Sequence, residues 1–400
     1  MPDNVGVDAL ALVVVVLLTL GAYIVLRARR SYTNVPGPRG WPLVGNIPDV
    51  ADFTKLHEQL SKWHRSYGSV VAWTFGPQRF MSVTDPEMVE AIIGEHRKKF
   101  TSSVLYQKLL GHMFPCNLIS LQGQRWMHVR LAAQGAIAGQ KSERLLEHVQ
   151  CTMSSALELL EKTTGAPTDM YELFGKVLFD AFGRFGYGHA FETLHGHNLD
   201  LLEAMLVIGE SMIERQAQPF AWLWRLPTRR NRQIAAAVRR TRGFIERLVS
   251  CRREALRAEP PAEGDVRTLL DALILRDAIS HQEVVDNIAL FFIGSFDTTS
   301  NTLCYILHHL AAHPHVLQRL QAEVDAHAPE LDGNGHSERT SLRSDAFRAE
   351  SMPLLDCVCR EAIRLLPTAY AIPRTALEEL SVNGWRVPVR ACVRACGGGR

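Results

Sequence analysis

Apolar positions recur every three or four residues over most of the chain, and that spacing predicts helices. Leu145, Val149, Met153, Ala156 and Leu160 fall on one helical face, and Leu303, Ile306, Leu307 and Leu310 fall on another. The segment 288–293 (IALFFI) is apolar all round, the mark of a helix buried in the middle of a protein. Strand-like alternation is rarer. Residues 70–75 and 79–83 around Gly76-Pro77 predict one hairpin, and 380–382 and 385–387 around Asn383-Gly384 predict a stronger one. The pattern is that of a mainly α domain with small peripheral β-sheets. Polar or Pro/Gly-rich breaks at 259–265 and 328–345 are not long linkers, and no repeat is present, so one domain is expected over 41–388.

The N-terminus departs from this pattern. Residues 9–26 carry no charge, a length able to cross a bilayer core of ~30 Å as one transmembrane helix. Arg27, Arg29 and Arg30 follow, and Asp3 and Asp8 precede. The positive-inside tendency then leaves the bulk of the chain in the cytosol. A cleaved signal peptide fits less well, because there is neither a basic n-region nor a small-residue cleavage pattern. The prolines of Val35-Pro36-Gly37-Pro38-Arg39-Gly40 predict a stiff hinge over 31–40.

Composition adds mostly exclusions. With 400 residues, 46% of them hydrophobic, the chain can bury a substantial core. A net charge of +2 argues against a nucleic-acid partner. The 8 cysteines form no Cys-x-x-Cys pair, which removes a zinc ribbon and a disulfide framework and favours a reducing compartment. No Gly-x-Ser-x-Gly, Gly-x-Gly-x-x-Gly or Walker loop occurs.

Three segments could carry chemistry. In Gly294-Ser295-Phe296-Asp297-Thr298-Thr299 the glycine lets a ligand approach the backbone, and the Thr298 hydroxyl can bond the carbonyl four residues back. Asp297 and Thr298 then form an acid–alcohol pair, either a satisfied kink or a proton-delivery site. Glu361 lies on the stripe of Leu354, Val358 and Leu365, with Arg364 one turn on. That pair is either an inward-facing brace or a surface pair worth ~0.2–0.5 kcal/mol. Trp126 and Arg130 are also one turn apart, and both are donors without acceptors. A bound carboxylate would satisfy them, as a cation–π pair would in part. His309 and His313 read as a helix end rather than a zinc pair, since Pro314 follows and no His-Glu-x-x-His is present. The arginine-rich run 225–253, behind Phe220, Trp222 and Trp224, reads as a solvated helix face, with contact to anionic lipid as the alternative.

In this order the segments resemble the cytochrome P450 family of haem-thiolate monooxygenases. The resemblance covers about residues 36–388 and takes in Ile372-Pro373-Arg374, Leu310-Ala311-Ala312-His313-Pro314 and Met352-Pro353-Leu354-Leu355. It implies a triangular, mainly α fold around haem b. Dioxygen would be split with electrons from a separate NADPH-dependent flavin reductase, and an apolar small molecule oxidised near the membrane. Trp126, Arg130 and Arg374 would hold the haem propionates, Glu361 and Arg364 would brace the proximal core, and Asp297 and Thr298 would deliver protons. The expected setting is a single-pass protein of the endoplasmic reticulum.

Two departures qualify the resemblance. Ser295 stands where the family usually has glycine, and Phe296 is bulky, which narrows the room expected beside the haem. After residue 388 the family's Phe-x-x-Gly-x-Arg-x-Cys-x-Gly loop is not found. Arg394-x-Cys396-x-Gly398 matches its core but follows Arg364 too closely, which leaves Cys396 a partial match for the iron ligand and no other metal residue. Residues 389–400 are therefore expected to be an aberrant tail on an incomplete fold, with the chain inactive as written. The alternative is a non-enzymatic, membrane-anchored helical protein that binds hydrophobic ligands.

Overall fold

The computed structural model describes residues 14–16, 18, 19, 21, 34–41, 44–76, 78–102, 104–138, 142–163, 165–218, 221–261, 268–276, 278–327 and 350–396. The first expected hairpin forms from β1 (Val70–Phe75) and β2 (Gln78–Val83), with Gly76 at φ 56°, a backbone state glycine adopts without steric cost. The second forms from β5 (Leu380–Val382) and β6 (Trp385–Val387), with Asn383 and Gly384 both at positive φ. That conformation matches the twist of a two-residue hairpin loop.

The first hairpin belongs to a larger sheet than the sequence suggests. With β3 (Phe100–Ser102), β4 (Ala371–Ala376) and β7 (Cys392–Cys396) it makes a five-stranded sheet in the order β1-β2-β7-β4-β3. Successive side chains on β1 enter different cores. Val70 and Ala72 join Met81, Val83 and Val393 on one face, while Val71, Trp73 and Phe75 join Phe80 on the other. The sheet is small, as expected, yet apolar on both faces.

Residues 392–396, set apart by the sequence reading within an aberrant tail, lie between β2 and β4, parallel to β2 and antiparallel to β4. Their alternation explains why they fit. Val393 is fully buried on one face, and on the other the Arg394 guanidinium lies 4.8 Å from the Phe80 ring centroid and 5.6 Å from that of Trp73. Residues 397–400 lie outside the described residues. The proline-rich stretch also docks rather than standing free. Val35 is buried, the Ala72 amide donates to the Pro36 carbonyl at 2.9 Å, and a Cβ at Gly37 would collide with the Ala72 carbonyl oxygen.

The helices are α1 (Leu56–Tyr67), α2 (Pro86–Ile93), α3 (Val104–Gly111), α4 (Gly123–Ala138), α5 (Ser142–Lys162), α6 (Met170–Tyr187), α7 (Leu199–Gln216) and α8 (Arg229–Ala258). After them come α9 (Leu269–Ile274), α10 (His281–Ala312), α11 (Pro314–Asp325) and α12 (Pro353–Leu365). The all-apolar 288–293 stretch lies in α10, which packs against α6, α7, α8, α9, α11 and α12. Its start is fixed by a capping box, in which the Glu283 amide donates to the Ser280 hydroxyl oxygen and the Ser280 amide donates to the Glu283 carboxylate. Within this layer Phe292 is surrounded by Phe179, Tyr187 and Phe191. On α5, Met153, Ala156 and Leu160 face a small core as the spacing predicts, but Leu145 is 39% exposed.

Of the segment expected to span a membrane, only residues 14–16, 18, 19 and 21 are described, as helix, and the rest lies outside the described residues, as does the break at 328–345. Among the described residues no helix is long and apolar enough to cross a membrane.

Candidate functional site

The site is built on the middle of α10. Side-chain hydroxyls there bond back along the helix: Thr298 Oγ1 donates to the Gly294 carbonyl at 2.8 Å, Thr299 to Ser295 at 2.9 Å and Thr302 to Thr298 at 3.0 Å. The Thr298 bond is the one its sequence position allows, and α10 remains continuous through it. Gly294, Thr298 and Thr302 succeed one another at i, i+4 and i+8, so they share a face. Gly294 and Thr298 are exposed, and a Cβ placed at Gly294 would meet no atom within 4 Å. The face is open.

Phe296 does not obstruct it, contrary to the expectation from its bulk. It is 2% exposed and meets Phe179 edge-on, with centroids 5.6 Å apart, on the core side of the helix. Residues two apart on a helix are turned ~200° from each other, which is why Phe296 and Gly294 face opposite ways. The half-buried Ser295 spends its hydroxyl on the Phe292 carbonyl at 3.1 Å.

Asp297 is turned toward α6. Its Oδ1 accepts the Tyr171 hydroxyl at 2.5 Å and the Asn301 side-chain amide at 3.4 Å. Burial, and then the bond to Asp297, push the Tyr171 phenol well above its ordinary range, so the phenol stays a neutral donor. Tyr171 was not found from sequence. It lies 126 positions from Asp297, and no local pattern links the two.

At its far end the open face meets the segment after α12, where Thr302 and Thr368 share a hydrogen bond of 3.1 Å. That segment continues into β4 and Arg374, which pairs with Ser102 on one side and Val393 on the other. Arg374 is half-buried, burial lowers its pKa, and its recorded side-chain bond is a marginal 3.5 Å contact with the Pro373 carbonyl. On α4, Trp126 is half-buried and Arg130 exposed, while Val129, Ala132 and Ala133 take the buried face. Among the described residues no hydrogen bond or ion pair engages the Arg130 side chain, no cation–π contact joins it to Trp126, and no bond joins either to Arg374. These cations and the indole N–H have unspent donors, the state that a ligand with carboxylate groups would satisfy.

Glu361 and Arg364 form the expected pair, with Arg364 Nε and Nη2 donating to Glu361 at 2.7 Å each. The pair does not face inward. Its side chains are 56% and 49% exposed, because α12 turns Ala362 toward the rest of the molecule and leaves positions 361 and 364 outside. The nearby Arg364 guanidinium still holds the Glu361 carboxyl below its ordinary range. His309 and His313 close α10 as a helix end, with His313 as the cap residue and Pro314 opening α11. Cys396 ends β7 with its backbone paired to Ala371. No cluster of three or more His, Cys, Asp or Glu side chains suited to a metal ion occurs among the described residues.

A family model described as Cytochrome P450 matches residues 35–394, nearly the whole chain. The chain belongs to the cytochrome P450 family. The match runs past residue 388 into β7, in keeping with the place of that strand in the sheet. Among curated relatives, the mitochondrial 25-hydroxyvitamin D-1 alpha hydroxylase of Rattus norvegicus is 25% identical over 388 residues, which cover 92% of this chain and 75% of the relative. The putative cytochrome P450 CYP13A2 of Caenorhabditis elegans is 27% identical, covering 88% of this chain and 73% of its own. The mitochondrial 1,25-dihydroxyvitamin D(3) 24-hydroxylase of Mus musculus is 22% identical, with shares of 89% and 69%. As a P450, the chain comes from a family of haem-dependent monooxygenases that act on hydrophobic substrates with a redox partner.

Proposed function

We propose that this P450 chain oxidises an apolar small molecule, with haem b held between α10 and the cations of α4 and β4. The observation that carries this reading is the open Gly294–Thr298–Thr302 face, continued through Thr368 toward a half-buried Arg374 whose guanidinium, among the described residues, meets no carboxylate. When bound, haem supplies the redox-active iron at which dioxygen is reduced. Arg374, Arg130 and the Trp126 indole N–H would hold its propionates. Thr298 holds a proton on Oγ1, parked on the Gly294 carbonyl, and delivers it by rotating off that acceptor. Asp297 would relay to it, through Oδ2, a proton taken up from water, since its Oδ1 is held by Tyr171 and Asn301. Buried Ile288, Ala289 and Phe292 exclude bulk water from the inner half of the helix. Glu361 and Arg364 brace the outer end of α12.

Electrons come from a separate redox protein. The sequence reading makes it an NADPH-dependent flavin reductase, and the mitochondrial relatives make a small iron–sulfur carrier the alternative. The substrates named for two of those relatives, 25-hydroxyvitamin D and 1,25-dihydroxyvitamin D(3), make apolar molecules of sterol size the first compounds to test. A membrane anchor through residues 9–26 rests on the sequence pattern, and alkaline extraction of membranes tests it. Imaging the full chain in cells decides between the endoplasmic reticulum and the mitochondrion.

The central test is the CO-bound reduced spectrum of the full chain purified with haem supplied. A thiolate-type Soret band supports the proposal, and Cys392→Ala and Cys396→Ala identify the sulfur. A nitrogen-ligated band, or failure to retain haem, overturns it for this chain. Binding of apolar ligands by such haem-free protein would instead support a non-enzymatic carrier.

A further inference from the structure

Among the described residues, a cation at the end of α7 stands in the interior with no anion hydrogen-bonded to it. Arg215 is 4% exposed, yet its Nε and Nη1 atoms have no hydrogen-bond partner. Its guanidinium lies 5.4 Å from the ring centroid of Trp224, and the Trp224 Nε1 is also buried and unpartnered. A cation taken out of water is costly unless it is paired and hydrogen-bonded. The indole face and the carbonyl end of α7 offset part of that cost, but neither accepts from the two N–H donors.

The nearby carboxylates are committed elsewhere. Glu214 accepts from Arg230 at 2.6 and 3.0 Å, and Glu210 accepts from the same guanidinium at 2.9 Å. Glu214 acts on Arg215 through its charge, against the lowering by burial, but makes no hydrogen bond to it, and the neighbouring His112 and Arg225 are basic. The His112 ring, on the turn after α3, lies 6.5 Å from Trp224, and Arg225 closes the short 3-10 turn Ala221–Arg225 that carries Trp224. Burial, then the charges of Arg215 and Arg225, lower the His112 pKa, as nearby like charges do. Beside them Leu109, Leu223 and Trp224 form a separate apolar cluster. One end of this joint between three segments is cationic with unspent donors, and its wall is apolar.

We infer that Arg215, with His112 and Arg225 around the Trp224 indole, binds the carboxylate of an apolar organic acid, and that such acids are the class of small molecule this P450 takes. The second clause rests on the proposed function, whereas the first does not. The acid supplies the acceptor for Arg215 Nε or Nη1 and for Trp224 Nε1, and its hydrocarbon part lies against the half-buried Leu223.

The test is direct binding to the full chain, followed by intrinsic tryptophan fluorescence, with decanoate, decanol, acetate and inorganic phosphate as probes. Decanoate is expected to bind roughly tenfold to a hundredfold more tightly than decanol, the range for one buried charge-assisted bond. Arg215→Met should equalise the two while leaving decanol binding intact, and Arg215→Lys should keep part of the preference. Equal binding of decanoate and decanol by the unaltered chain overturns the inference, as does a preference that survives Arg215→Met. Saturation by acetate or phosphate as tight as by decanoate also overturns it, since the apolar wall would then play no part. Should Arg215→Met fail to fold, Arg215→Lys and Trp224→Phe carry the same comparison. Haem content and the CO spectrum of the same preparation report the monooxygenase reading separately, because the preference for decanoate needs no haem.

Discussion

Phe292 shows how much one side chain in α10 carries. It is fully buried, with the rings of Tyr187, Phe191 and Phe179 at centroid distances of 4.1, 5.3 and 5.5 Å. Phe292→Ala is expected to destabilise the chain by about 3–5 kcal/mol, read from the urea midpoint, and a loss under about 1 kcal/mol would contradict this packing. Four histidines make a second prediction. His64, His112, His148 and His189 are all held below their ordinary pKa, with burial the first cause in each. Each therefore binds its proton more readily when the chain unfolds. Their contribution is complete above the unfolded value near ~6.5 and is lost as pH falls below it. Asp286 acts in the opposite sense, since burial raises its pKa and favours the folded state at low pH. With four groups against one, the thermal midpoint is expected to rise between about pH 5 and about pH 7, and a falling midpoint would refute the assignment. At this scale the sequence disclosed what is local. The Thr298 bond to Gly294 spans four positions and follows from helix geometry, whereas the Tyr171 bond to Asp297 depends on how α6 crosses α10.

At the scale of elements, the first turns of α10 organise the loop that leads into α4. Asp286, fully buried, accepts from the Cys116 amide at 2.8 Å and pairs with Arg242 at 3.1 Å. Asn287 accepts from the Leu118 amide at 2.9 Å and donates to the Cys116 carbonyl at 3.1 Å. Glu283, also buried, meets Arg125 of α4 at 2.7 Å. Asn287→Ala would leave the half-buried Leu118 amide and Cys116 carbonyl without this partner. The expected cost is about 2–3 kcal/mol, with faster hydrogen exchange at the Leu118 amide. Unchanged exchange there would show that the loop is held by other means. Helix periodicity and the Asn383-Gly384 turn were both legible, because each is set by residues within a few positions of one another. The exposure of Glu361 and Arg364 was not legible. The spacing of apolar residues gives the rotation of α12 only loosely, and packing against α10 and α11 turned Ala362 inward instead.

At the scale of the molecule, β7 joins the N-terminal hairpin to the C-terminal strands. A chain ending at residue 388 loses the strand shared by β2 and β4, and with it Val393 from one core and Arg394 from the other. A domain with a total stability of about 5–15 kcal/mol does not withstand the loss of a central strand. The 388-residue chain is expected to lose soluble expression and cooperative unfolding, whereas a chain ending at Cys396 keeps both. Soluble yield equal to that of the full chain would place β7 outside the stabilising core. By itself the sequence determined the mainly helical class, both hairpins and the family, because period, turn chemistry and motif order are properties of neighbours along the chain. Tertiary structure alone decided that residues 392–396 complete a sheet, that Phe296 leaves the open face clear, and that Arg215 is buried with two N–H donors unpartnered. Each of these depends on residues far apart in sequence, and on which of many similar apolar and charged side chains come to lie beside one another when the elements pack.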